Sequence, residues 1–166
     1  MIQRFQTVLL LLVAICMATF LNMFIWAEVS ADQSKVARLS AFKMEVFDTA
    51  GTLQNQMDDE VIRTDSIWYV GVLAILVILV AIFSILQYKN RLNQMKLGAL
   101  NALFMAATLG LSFYKIYTYE NLVNPEGQGG IQIGFYLVGV AMMCNLLSNR
   151  FIRKDEKLVK SVDRIR

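Results

Sequence analysis

The segment IWYVGVLAILVILVAIFSIL, residues 67–86, is twenty residues long and carries no charged side chain. A helix of roughly this length crosses the ~30 Å hydrocarbon core of a bilayer. Three further apolar segments of similar length lie at residues 7–26, 97–117 and 131–147. With 57% hydrophobic residues in a chain of 166, the four segments predict one polytopic membrane domain covering residues 1–166.

Basic residues near the ends of these spans predict the orientation, because Lys and Arg resist translocation. Arg4 precedes the first span, the connection 87–96 holds three basic residues, and the tail 148–166 holds seven, whereas the loop 118–130 has none. Both termini are therefore expected on the cytoplasmic side. The loop 27–66 is expected on the outer side. The first apolar run is longer than that of a signal peptide, so we expect the helix to be retained.

The predicted fold class is all-α, a four-helix transmembrane bundle running up and down, because the short connection 87–96 makes the second and third spans antiparallel neighbours. The outer loop of about 40 residues leaves room for one short β segment. There, Phe42, Met44 and Val46 alternate with charged residues, the period of a half-buried strand, and residues 48–51 have the composition of a turn.

Small residues recur every four positions along the third span, at Gly98, Ala102, Ala106 and Gly110. Such a stripe lets another backbone approach closely. Packing within the same bundle is favoured over self-association, because four helices must bury some face in any case. Asn22, Asn101 and Asn145 also fall in spans, where they are expected to form hydrogen bonds between helices.

The tail 148–166 is predicted to form an amphipathic basic C-terminal helix, with Phe151, Leu158, Val162 and Ile165 on one face. Its basic residues are predicted to contact lipid or a partner: Arg150, Arg153, Lys154, Lys157, Lys160 and Arg164. Docking on anionic lipid headgroups and simple retention of positive charge inside the cell explain this charge equally well, and docking on a protein is a third interpretation.

Aromatic side chains cluster where the spans should meet the outer headgroups, which is typical of interfacial anchors. The predicted anchors are Trp26, Trp68, Tyr69, Tyr117 and Tyr119.

Groups that could support catalysis are sparse. The chain has no histidine, and Cys16 and Cys144 both fall within spans. Lys115 is the one charged residue in a span and lies near its outer end, where its ammonium can reach the headgroups. The acidic run at residues 58–60 lacks the ligand spacing of a calcium loop. The sequence thus predicts no catalytic residue, no cofactor, no metal and no nucleic-acid partner.

The two ends of the chain, Met1-Ile2-Gln3-Arg4 and KDEKLVKSVDRIR at residues 154–166, resemble a domain-of-unknown-function family. The family is one of four-span inner-membrane proteins from Bacteroidetes-type bacteria. The resemblance implies a bacterial inner membrane and carries no activity or site residue with it.

From these observations we expect a non-enzymatic integral inner-membrane protein, an accessory or assembly subunit of a membrane complex. Its expected partners are the lipid bilayer, anionic headgroups at the tail and other membrane proteins. A small oligomeric transporter or channel is the alternative, in which the Asn residues and the Gly-rich third span would line a hydrated path.

Overall fold

A computed structural model describes residues 2–49, 60–88, 90–120, 122–123 and 129–163. These residues form four helices and five strands. In chain order the elements are α1 (Ile2–Phe20), β1 (Trp26–Val29), β2 (Lys35–Leu39), β3 (Lys43–Asp48), β4 (Glu60–Ser66), α2 (Trp68–Leu86), α3 (Arg91–Tyr119), β5 (Gly130–Ile131) and α4 (Ile133–Asp163).

The predicted all-α fold class is wrong, because the strands join in one antiparallel sheet of order β4-β3-β2-β1-β5. The protein is therefore mixed α/β. Four of the strands come from residues 26–66, most of which were assigned to an outer loop. The β segment expected around Met44 and Val46 is β3, and both side chains are buried. The turn expected at 48–51 lies partly outside the described residues.

One face of the sheet packs into the core that it shares with the helices. Trp26 lies opposite Leu39, which in turn lies opposite Met44 on the next strand. All three side chains are at most 1% exposed and belong to the same cluster as Phe20 and Ile67. A short sheet of this kind is marginal in water alone, so its stability depends on this shared core.

Each helix contacts two others: α1 and α3 both pack against α2 and α4. The strands lie at one end of the helices, which we call the sheet end, and the opposite end is called the tail end. At the tail end, the rings of Phe5 and Phe151 meet at 5.3 Å, and Arg91 pairs with Asp155 at 3.3 Å. These contacts place the beginnings of α1 and α3 beside the second half of α4.

By length and composition, α2, α3 and α4 could each cross a membrane, whereas the apolar part of α1, Phe5–Phe20, is shorter. The predicted span 67–86 coincides with α2 except for its first residue, and the span 97–117 lies within α3. The span 131–147 lies within α4 except for its first two residues. The span predicted at 7–26 extends six residues beyond the end of α1. The chain leaves α1 after Phe20 because Ile25 donates its N–H to the carbonyl of Leu39, 2.7 Å away, and so enters the sheet.

Buried polar side chains link neighbouring helices. The Asn145 amide on α4 donates to the Gly98 carbonyl on α3 at 2.8 Å, and the Gln94 amide donates to the Ser84 carbonyl on α2 at 3.1 Å. The Ser148 hydroxyl on α4 reaches the Gln6 carbonyl on α1 at 3.5 Å. Hydrogen bonds of this kind average about 0.6 kcal/mol in a membrane, so they fix the relative positions of the helices more than they add stability.

Glycines at the sheet end allow the strands and helices to approach closely. Gly134 donates its N–H to the Phe24 carbonyl at 3.0 Å, and a Cβ at this position would lie 2.5 Å from that oxygen. At Gly71 on α2 the space of a Cβ is taken by the Phe42 ring, and at Gly129 it is taken by the Trp26 ring. The connection between the sheet and the helices therefore depends on residues without side chains.

Replacing Gly134 with Ala should destabilise the protein, because the methyl group would collide with backbone that cannot rotate away. We expect a loss of about 1–3 kcal/mol of unfolding free energy, as for other overpacked sites. Gly139 on the same helix has open space around it, so Gly139→Ala is the matched control and should be neutral or slightly stabilising. Denaturant unfolding in detergent measures both, and equal stability of the two variants would contradict the account of this contact.

Candidate functional site

The stripe of small residues on α3 is only partly used in packing. Gly98 is buried against Asn149 of α4 and Ala102 is half-buried, but Ala106 and Gly110 are exposed. A spacing of four residues advances about 40° per step around a helix, so Gly110 points about 120° away from Gly98. The buried face of α3 consists of Gln94, Gly98, Asn101, Met105, Thr108, Ser112, Ile116 and Tyr119.

The tail is not a separate helix but the continuation of α4, which runs to Asp163. Arg150, Arg153, Lys154 and Lys157 are exposed on it. The side chain of Lys160 and all of Arg164 lie outside the part of the chain that the structure describes. Ile152 is 1% exposed and holds this segment against the other helices, whereas Leu158 of the predicted apolar face is half exposed.

Two of the predicted basic residues line a groove between α3 and α4 at the tail end. The groove has a volume of about 600 Å³ and is lined by Ala99, Ala102, Leu146, Asn149, Arg150 and Arg153. We call it the α3–α4 groove. Its lining combines two alanines from α3 with a leucine, an asparagine and two arginines from α4.

The predicted aromatic anchors fall into two groups. Trp68 is 61% exposed, Tyr117 is 75% exposed and Tyr69 is half-buried, so these rings reach the surface at the sheet end. Trp26 lies in β1 and Tyr119 ends α3, and both are buried, at 1% and 7% exposure. These last two rings pack in the core between the sheet and the helices.

Lys115 is half-buried at the sheet end of α3, with its Nζ 5.3 Å from the centre of the Tyr119 ring. Tyr119 also interacts with Asp65 of β4. The ammonium thus lies at the boundary between the helices and the sheet, where it helps to connect β4 to α3.

Two carboxylates in the sheet are held by hydrogen bonds. Glu28 in β1 is 2% exposed and accepts from the backbone N–H of Val123 at 3.2 Å, which ties the segment after α3 to the sheet. Asp32 in the exposed turn between β1 and β2 accepts from the Ser30 hydroxyl and from Ser34, and these bonds lower the pKa of Asp32 to about 2. The hydrogen bonds of both carboxylates stabilise the sheet and its turn, so neither carboxylate is a candidate site residue.

The sequence did not indicate that β4 forms an open edge of the sheet. Among the described residues β4 pairs only with β3, and six of its seven residues are exposed. Val61 and Ile62 expose 52% and 54% of their surface. Arg63 and Asp65 form an ion pair at 2.8 Å along the strand. We call this strand the β4 edge; its mixture of charged and apolar residues lacks a clean alternation, so no sequence signal marked it.

Within the described ranges, no group of three or more His, Cys, Asp or Glu side chains could hold a metal ion. Two surfaces at opposite ends of the helices remain as candidate binding sites. They are the β4 edge and the α3–α4 groove.

The comparisons with known proteins agree with the resemblance noted at the two ends of the chain. No curated protein matches this sequence. A family model described as a domain of unknown function, DUF4293, matches residues 2–165, so the prediction of an unknown-function family is confirmed. Because the match covers almost the whole sequence, we conclude that the chain belongs to the DUF4293 family.

Proposed function

We propose that this protein is a non-enzymatic integral protein of a bacterial inner membrane that serves as an accessory or assembly subunit of a membrane complex. The observation that carries the proposal is the β4 edge, which among the described residues pairs only with β3 and exposes two large apolar side chains at the sheet end. An open edge of this kind accepts an extended segment from a partner, which adds a strand to the sheet.

Exposed apolar surface on the helices supports placing all four in the bilayer. On α1, Val8, Leu11 and Ile15 each expose about half of their surface, and α1 packs beside α2 and α4. A continuous apolar face of this size is unfavourable in water and favourable against lipid tails. Although α1 is short, its contacts hold it at the depth of its longer neighbours.

The distribution of charge supports cytoplasmic termini. Arg91, Arg150 and Arg153 lie at the tail end, and the loop 118–130, which joins α3 to α4 at the sheet end, contains no Lys or Arg. The positive-inside rule then puts the tail end in the cytoplasm and the sheet, with its β4 edge, on the outer side. The partner is therefore expected to present its extended segment outside the cytoplasmic membrane.

Replacing Ile62 with Lys should abolish the association while leaving the fold intact, because it removes one of the two exposed apolar side chains and adds a second positive charge beside Arg63. Val29→Lys is the matched control, since Val29 is also an exposed apolar strand residue, 42% exposed, but lies on β1. Purification in mild detergent should recover a stoichiometric partner with the parent protein and with Val29→Lys, and none with Ile62→Lys. A protein that purifies alone, or a partner retained by Ile62→Lys, would contradict the proposal.

Orientation is testable with single cysteines in a background where Cys16 and Cys144 are replaced by Ala. Asp32→Cys, in the exposed turn of the sheet, should react with a membrane-impermeant maleimide in intact spheroplasts. Lys157→Cys, exposed on α4, should react only after the membrane is permeabilised, because the tail end faces the cytoplasm. The reverse pattern would overturn the proposed topology.

The alternative function, a small oligomeric transporter or channel, is favoured by one observation. Asn101 is 1% exposed, and neither atom of its amide has a hydrogen-bond partner within the described part of the chain. An unsatisfied amide inside a membrane domain is costly, and water in a conducting path would relieve that cost. The closely packed contact of Gly98 with Asn149 supports the subunit proposal instead.

Labelling at the centre of the helices separates the two functions. In the same cysteine-free background, Asn101→Cys and Thr108→Cys should both resist a water-soluble maleimide, because both positions are buried among packed helices. Thr64→Cys on the exposed β4 edge is the positive control. Reaction at both buried positions at rates within about tenfold of the control would support a hydrated path.

A further inference from the structure

We propose that the α3–α4 groove is a binding site for one anionic phospholipid molecule, with its phosphate between Arg150 and Arg153 and one acyl chain along Ala99, Ala102 and Leu146. This inference rests on the proposed insertion of the helices in a bilayer. It differs from general attraction of the basic tail to a membrane surface, because it assigns the recognition to two arginines and a shaped space between helices.

The groove exists because α3 and α4 approach closely at Gly98 and carry short side chains beside that contact. The Asn145 amide donates to the Gly98 carbonyl at 2.8 Å, and Asn149 occupies the space that a Cβ of Gly98 would need. This contact sets the distance between the two helices. Ala99 and Ala102 then leave unfilled about 600 Å³ that larger side chains would occupy, a volume within the range of small-ligand pockets.

The charge of the groove is uncompensated. Arg150 and Arg153 are three residues apart on one helix and so lie on the same face, and the lining contains no Asp or Glu. Within the described ranges neither guanidinium has a hydrogen-bond or ion-pair partner. Nearby Asp155 is instead paired with Arg91. Two adjacent guanidinium groups with a neighbouring amide match the oxygens of a phosphodiester.

The apolar wall identifies a lipid rather than a soluble anion as the occupant. Ala99, Ala102 and Leu146 offer nothing to a free phosphate, but they can contact an acyl chain along the helices. Leu146 is 47% exposed, and Leu103 beside the groove is 62% exposed, so this wall continues into surface that faces lipid in the proposed topology. Basic pockets between membrane helices on the cytoplasmic side are typical binding sites for anionic headgroups.

Native mass spectrometry of the full-length protein in neutral detergent tests the site. With dioleoyl phosphatidylglycerol added, we expect one tightly retained lipid, and with dioleoyl phosphatidylcholine, which has the same chains, we expect about tenfold weaker retention. The double variant Arg150→Gln/Arg153→Gln should lose about tenfold or more of the phosphatidylglycerol affinity. Lys154→Gln/Lys157→Gln, which removes the same charge outside the groove, should change it by less than about twofold.

A second pair of variants tests the shape of the groove without changing charge. Ala99→Phe should fill the apolar wall and reduce phosphatidylglycerol binding, whereas Leu100→Phe, on a different face of α3 and outside the lining, should not. Both positions are exposed, so neither substitution enters the core. Equal loss in the two charge variants, unchanged binding in Ala99→Phe, or displacement of the lipid by millimolar inorganic phosphate would each overturn the site.

Failure of this inference is distinguishable from failure of the proposed function. If the cysteine labelling shows the expected orientation but phosphatidylglycerol binds no better than phosphatidylcholine, the groove assignment alone is wrong. If the labelling pattern is reversed, the bilayer placement on which the groove assignment rests is wrong as well.

Discussion

The hydrogen bond from the Gly134 N–H to the Phe24 carbonyl, 3.0 Å long, is the contact on which the rest of the structure depends. It joins the segment that leaves α1 to the start of α4, and the neighbouring bond from Gln132 to Ile25 does the same one step closer to the sheet. The end of α1 and the start of α4 are thereby fixed to the adjoining strands, β1 and β5. With this junction in place, the sheet can bury its inner face against the helix ends, and Trp26 can enter the core.

Polar groups at the two ends of the helices have different surroundings. At the sheet end, β1, β2 and β3 each pair with a strand on both sides and Lys115 lies beside the Tyr119 ring, whereas β4 pairs only with β3 among the described residues. Between the helices, the Asn145 amide donates to the Gly98 carbonyl, whereas the Asn101 amide has no hydrogen-bond partner within the described residues. At the tail end, Arg150 and Arg153 line the α3–α4 groove. The two ends are therefore chemically different surfaces, which is why we propose a protein strand as the partner of one and a lipid headgroup as the ligand of the other.

The sequence predicts those parts of the fold that depend on local composition. The apolar run 67–86 marks α2 to within one residue because it is almost entirely apolar and carries no charged side chain. The sheet was not predicted because its strands pair with segments that are distant in the sequence. Trp26 pairs with Leu39 and Ile131, and neither pairing can be inferred from the residues adjacent to Trp26 in the sequence. Trp26 was assigned to a span for the same reason. Of the residues that line the groove, the sequence identified Ala102, Arg150 and Arg153. It did not identify the other three, nor the proximity of α3 to α4 that brings all six together.

The length of α4 has a mechanical consequence. Its 31 residues contain no proline, and at 1.5 Å per residue they make a rod of about 46 Å. The start of this helix is hydrogen-bonded to the Phe24 carbonyl, and Arg150 and Arg153 lie in its second half. An unkinked helix moves as one piece. A displacement of the strands would therefore be carried along α4 to Arg150 and Arg153 and, through the packing of α4, to α1 and α3.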